Sequence, residues 1–134
     1  DKRIALLGLA FKPGTDDVRF APALEVARRL LAGGARVVGH DPQASATAKA
    51  ELPELEIATG VYGALEGAHC AIVCTEWPDF RDLDFERART LMTFPILLDG
   101  RNLYGDREVV AMEQVGFTYL ATGRHPRPAA PILH

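Results

Sequence analysis

Short apolar runs alternate with segments of helical periodicity along the whole chain, and this alternation restricts the fold more than any other feature. Ile4-Ala5-Leu6-Leu7-Gly8 is a continuous apolar run ending in glycine, the pattern of a strand covered on both faces. Pro22 suits a first helical turn, and Ala23, Leu24, Ala27, Leu30 and Leu31 form an apolar stripe opposite Glu25, Arg28 and Arg29. Gly33-Gly34 ends that helix, because glycine accepts the left-handed conformation of a C-terminal cap. Further strands are expected over 36–40, 55–58, 70–74, 96–99 and 117–120, with helices over 44–52, 61–68, 84–92 and 107–115 between them. Six strands separated by helices imply an α/β fold, a doubly wound parallel sheet with helices on both faces. Right-handed crossovers favour the strand order 3-2-1-4-5-6, with a crevice where the winding reverses between strands 1 and 4.

The 134 residues suit one domain, expected over 1–123, followed by a tail over 124–134 whose Pro126, Pro128 and Pro131 cannot feed a sheet ladder. Fifteen basic against eighteen acidic side chains leave a formal charge of −3, so no overall attraction draws the chain to nucleic acid. No apolar run approaches the ~20 residues of a membrane helix, and no membrane association is expected. The two cysteines, Cys70 and Cys74, share one strand. At ~3.3 Å per residue they lie about 13 Å apart, too far to bridge, so they read as packing residues in a cytoplasmic protein. His40, His69, His125 and His134 have no ligand partner at useful spacing, and no metal site is expected.

Ligands of such sheets sit beyond the carboxyl ends of the strands, which directs attention to three loops. The first reads Gly8-Leu9-Ala10-Phe11-Lys12-Pro13-Gly14-Thr15-Asp16-Asp17-Val18-Arg19. Ala10 and Pro13 stand where a G-x-G-x-x-G dinucleotide fingerprint needs glycines, and the loop is longer than the usual strand-to-helix link. Lys12 and Arg19 suit anion binding by side chains; the pattern is equally compatible with their pairing to Asp16 and Asp17 on the surface. Asp99-Gly100-Arg101-Asn102 follows the fifth strand. With one strand between them, roughly 10 Å at ~4.8 Å per spacing, Lys12 and Arg101 are placed to converge on one diphosphate. The competing arrangement pairs Arg101 with Asp99 or Asp106. In the third loop, Thr75-Glu76-Trp77-Pro78-Asp79-Phe80, the aromatics read first as packing under a helix, and Asp41 reads as a cap or turn residue.

The first loop, Thr75-Glu76-Trp77 and Asp99-Gly100-Arg101-Asn102 together closely resemble the C-terminal, UDP-binding domain of the UDP-glucose/GDP-mannose dehydrogenase family, over about Lys2 to Gly123. The resemblance implies a Rossmann-like domain holding the UDP part of UDP-glucose, in an enzyme whose separate N-terminal domain binds NAD. Such an enzyme oxidises the sugar C6 alcohol to a carboxylate in two NAD-dependent steps, through a thioester on a cysteine. By motif, Phe11, Lys12 and Arg101 fall on substrate-binding positions, and Arg19 on the arginine that reaches the bound NAD. Asp16 and Asp17 are read as ordering the loop. The nucleophilic cysteine belongs upstream of this segment, so no catalytic residue is assigned and Cys70 and Cys74 are not recruited. The chain is expected to bind and not to catalyse, with a homo-oligomer expected for a full-length enzyme. The Asp-Gly-Arg motif favours the UDP-glucose branch over enzymes acting on GDP-mannose or a UDP-N-acetylhexosamine. Here Phe20-Ala21-Pro22 stands where the family has Glu-Ser-Pro, which removes a serine cap. Outside this family, the remaining alternatives are a receiver-like signalling domain and a free-standing non-catalytic Rossmann-like module. Arg101 at the position of the receiver lysine argues against the receiver.

Overall fold

A computed structural model describes residues 2–122. Its strands are β1 (Arg3–Leu7), β2 (Arg36–His40), β3 (Glu56–Ile57), β4 (Cys70–Val73), β5 (Ile96–Asp99) and β6 (Thr118–Ala121). The helices are α1 (Pro22–Ala32), α2 (Ser45–Glu51), α3 (Val61–Leu65), α4 (Pro78–Arg81), α5 (Phe85–Leu91) and α6 (Asp106–Gln114). The strands form one sheet of order β3-β2-β1-β4-β5-β6, parallel at every pairing, as the alternation of elements requires. The tail expected over 124–134 lies outside the described residues.

Each central strand feeds a core on both faces, which explains its unbroken apolar run. Ala5 and Leu7 of β1, with Ala71 and Val73 of β4 and Leu97 of β5, pack beneath Leu65, Ala88, Val109 and Met112 of α3, α5 and α6. Leu6 points the other way and joins Val37 of β2, Leu24 and Ala27 of α1 and Ala48 of α2. Burial of ~1.5–3 kcal/mol per large aliphatic side chain on both faces pins the register, since a one-residue slip would exchange the two sets.

Local differences from the sequence reading have identifiable causes. The segment after β4 turns into α4 at Pro78, a helix-start residue, because Phe80 is completely buried and the chain must double back to bury it. The third strand shrinks to two residues at the sheet edge, where only β2 pairs with it. The last strand begins at Thr118 instead of Phe117, whose side chain is buried in the α5/α6 core. Ala21 caps α1 with no side-chain hydrogen bond, as the loss of the serine implies. Both thiols are free.

Candidate functional site

The three loops all leave the carboxyl edge of the sheet, and the structure fastens them to one another. The first begins at Gly8, whose φ of +94° is open to glycine without strain. An added Cβ there would lie 2.4 Å from the Thr75 Cβ, so the close approach of the β1 and β4 loops also demands glycine. Gly8 N–H donates to the His40 carbonyl at 2.8 Å, and Cys74 N–H donates to the Leu7 carbonyl at 2.8 Å, extending both ladders past the strands. Thr75, fully buried, donates its hydroxyl to the Ala10 carbonyl at 2.9 Å.

Asp41, 3% exposed, clamps the same loop from the β2 side. Its Oδ2 accepts from Leu9 N–H at 2.8 Å and Ala10 N–H at 3.3 Å. Its Oδ1 accepts from Gln43 N–H and Ala44 N–H, each at 2.8 Å, which caps the approach to α2. The turn role read from the sequence is therefore half of what Asp41 does. The other half spans 32 residues and is visible only once β1 and β2 are known to be neighbours.

Beyond the clamp, Phe11 and Lys12 are exposed. Lys12 has no ion-pair or hydrogen-bond partner among the described residues. Together with Thr15, Asp17, Arg19 and Phe20, these two line a shallow concavity of about 290 Å³. Arg19 is paired: Nε reaches Asp17 Oδ1 at 3.0 Å and Nη2 reaches Oδ2 at 2.9 Å. The pairing holds the Asp17 carboxyl at about 2, through the Arg19 side-chain hydrogen bond first and the Arg19 backbone N–H next. Asp17 N–H in turn donates to Thr15 Oγ1 at 3.0 Å, so Asp17 orders the loop as expected. Asp16 is exposed and makes no such bond among the described residues. Of the two sequence alternatives for the cations, surface pairing describes Arg19 and leaves Lys12 open.

Arg101 is not among the residues lining that concavity. Its backbone is fixed by Asp99, whose completely buried carboxylate accepts from Arg101 N–H at 3.0 Å, Tyr104 N–H at 3.2 Å and the Tyr119 hydroxyl at 2.7 Å. Its guanidinium turns to Glu76, with Nε at 3.0 Å and Nη2 at 2.5 Å from the same oxygen, Oε1. The partner is thus neither Asp99 nor Asp106. The register explains why: Val73 of β4 sits opposite Asp99 of β5, so residues 76 and 101 emerge side by side from adjacent strands. The β4–β5 neighbourhood alone places Glu76 and Arg101 on adjacent loops.

Trp77 packs against the core, and its Nε1 is buried without a partner among the described residues. Burial pushes the Cys74 thiol up to about 12, against the opposing pull of Arg101, so Cys74 is no ready nucleophile. No group of three or more histidine, cysteine or acidic side chains among the described residues is arranged to hold a metal, and none of their helices is long and apolar enough to cross a membrane. The residues do not fit NAD in the manner of a dinucleotide fold. The glycine fingerprint is absent, and the carboxylate at the end of β2, which would hold a ribose, already accepts four backbone N–H groups.

Comparison with known proteins finds relatives over most of the chain. UDP-glucose 6-dehydrogenase of Pseudomonas aeruginosa is 45% identical over 129 residues, covering 92% of this chain and 28% of that protein. The Rhizobium meliloti UDP-glucose 6-dehydrogenase is 43% identical over 122 residues, covering 91% and 27%. Among solved structures, a UDP-glucose dehydrogenase from Pyrobaculum islandicum superposes with a TM-score of 0.69 at 38% identity, over 80% of this chain and 23% of that one. NDP-N-acetyl-D-galactosaminuronic acid dehydrogenase from Methanosarcina mazei gives 0.75 at 27% identity, over 92% and 25%. The chain therefore spans roughly a quarter of the length of these relatives. The profile described as the UDP-glucose/GDP-mannose dehydrogenase family, UDP binding domain, matches residues 5–106, which include all three loops, and the chain belongs to that family.

Proposed function

We propose that this chain holds the UDP moiety of UDP-glucose for an NAD-dependent dehydrogenase that oxidises the sugar C6 alcohol to a carboxylate in two steps. Lys12 and Arg101 supply the positive charge for the diphosphate, Phe11 shapes the pocket beside Lys12, and Arg19 faces the NAD carried by a separate domain. The observation that carries the reading is Lys12: a cation with no counter-ion among the described residues, two positions beyond Ala10, whose backbone N–H and carbonyl are both held. An unpaired ammonium just beyond a fixed stretch of backbone is free to take an incoming anion, and only the side chain remains to be ordered on binding. Arginine adds a planar fork that matches phosphate oxygens. Neither thiol is activated, so the chain alone binds the nucleotide sugar without turning it over.

Titration calorimetry with UDP-glucose and, separately, NAD tests this. The expected result is measurable binding of UDP-glucose, weaker or undetectable binding of NAD, and no NADH formed when both are present. Tighter binding of NAD than of UDP-glucose would refute the reading. Binding of GDP-mannose or a UDP-N-acetylhexosamine in preference to UDP-glucose would move the chain to another branch of the family.

A further inference from the structure

We infer that Asp41, with Thr75, is a positioning residue of the nucleotide site, acting on the diphosphate through the peptide that carries Lys12. The inference rests on the proposed grip of Lys12 on UDP, and deepens it. An ionised carboxylate offers about four acceptor positions, and Asp41 fills all of them with backbone N–H groups: Leu9, Ala10, Gln43 and Ala44. The first pair belongs to the loop that bears Lys12, the second to the turn into α2. The side chain therefore links two loops through charge-assisted hydrogen bonds, which are stronger than neutral ones.

Both backbone polar groups of Ala10 are held, so the peptides on either side of it are each fixed by one bond. Its N–H meets Asp41 and its carbonyl accepts from the buried Thr75 hydroxyl. Leu9, beside it, is seated over Gly39 of β2, where an added Cβ would approach Leu9 Cδ2 to 3.0 Å. This close seating draws the loop down onto the sheet and points the Leu9 and Ala10 amides inward, at an internal carboxylate. Those amides are thereby withdrawn from any ligand, and the anion-binding duty passes to the side chain two residues further on. The neighbours of Lys12 within its concavity are exposed or half-buried and are tied only to one another, through the Thr15–Asp17 hydrogen bond and the Asp17–Arg19 pair. Direction for Lys12 thus comes from the buried clamp behind it.

The test is a double-mutant cycle on UDP affinity, measured by calorimetry on this chain at a temperature where circular dichroism shows every variant folded. In Asp41→Asn, the amide NH2 must face one of the two N–H pairs, so one pair loses its acceptor. The expected loss of UDP affinity is about tenfold, on the scale of hydrogen bonds to a charged group. In a Lys12→Ala background the same substitution should change affinity less than about twofold, since the group it positions is gone. Equal losses in the two backgrounds, or no loss in either, would overturn the inference. Where Asp41→Asn does not fold, Thr75→Val replaces it in the cycle, with Thr75→Ser expected to restore binding. Unchanged affinity in Thr75→Val, or no rescue by Thr75→Ser, would equally overturn it. Lys12→Ala without effect by itself contradicts the proposed function, an outcome visible before the cycle is closed.

Discussion

Arg101 places Nε and Nη2 on a single oxygen of Glu76, 3.0 and 2.5 Å away, across the gap between the loops that follow β4 and β5. The pair is about a third to a half exposed, 34% for Arg101 and 45% for Glu76, which limits its worth to about 1 kcal/mol or less. Its consequence for binding is larger than for stability. A diphosphate that takes Arg101 must displace Glu76 or approach beside its negative charge. Glu76→Gln is therefore expected to tighten UDP binding, by about fivefold at most, with little change in melting temperature. Calorimetry on the variant measures this. Weaker binding would mean that Glu76 aims Arg101 and does not compete for it.

Helix α1 starts without a side-chain cap. Ala21 has the extended backbone of a capping residue, φ −68° and ψ 125°, yet offers no oxygen to the first-turn amides. Ala21→Ser is expected to raise stability by about 1 kcal/mol, as a serine hydroxyl accepts from one of those amides. Thermal unfolding should then shift upward by roughly 3–5 °C for a chain of this size. UDP affinity should be unchanged, since Ala21 is buried and does not line the concavity of Lys12.

The Asp17 carboxyl is held at about 2, below its ordinary 3.8, chiefly by the Arg19 side-chain hydrogen bond. A group depressed on folding contributes above its unfolded value, and that contribution disappears as the pH falls through about 2. The contribution to stability should thus be lost between about 3.8 and 2, while the Arg19–Asp17 pair itself opens around pH 2. Carboxyl NMR should place the Asp17 midpoint near 2 in the parent and return it toward 3.8 in Arg19→Ala. A parent midpoint already near 3.8 would show that the pair is not populated in solution.

What the sequence made legible follows from period and chirality. Short continuous apolar runs such as Ile4 to Leu7, closed by glycine and alternating with helical segments, read as strands covered on both faces, and right-handed crossovers then leave few strand orders. The loops carrying Lys12 and Arg101 were legible for the same reason, since the sheet assigns ligands to one edge. The contacts that decide how those side chains are held were less accessible. Asp41 reaching Leu9 and Ala10, Thr75 reaching Ala10, and Glu76 reaching Arg101 join residues 25 to 65 positions apart. Periodicity carries no record of such pairings; they depend on register and on which turn dips inward. Helix α4 leaves no helical period in the sequence because it has only four residues.

The central claim is that Lys12 and Arg101 bind the diphosphate of a UDP-sugar, and truncating each tests it most directly. With UDP titrated calorimetrically into the parent, Lys12→Ala and Arg101→Ala, each substitution should weaken binding about tenfold or more, the scale of a charge-assisted contact to phosphate. Both variants should melt close to the parent, because neither side chain is part of the core. Unchanged UDP affinity in both variants would contradict the account.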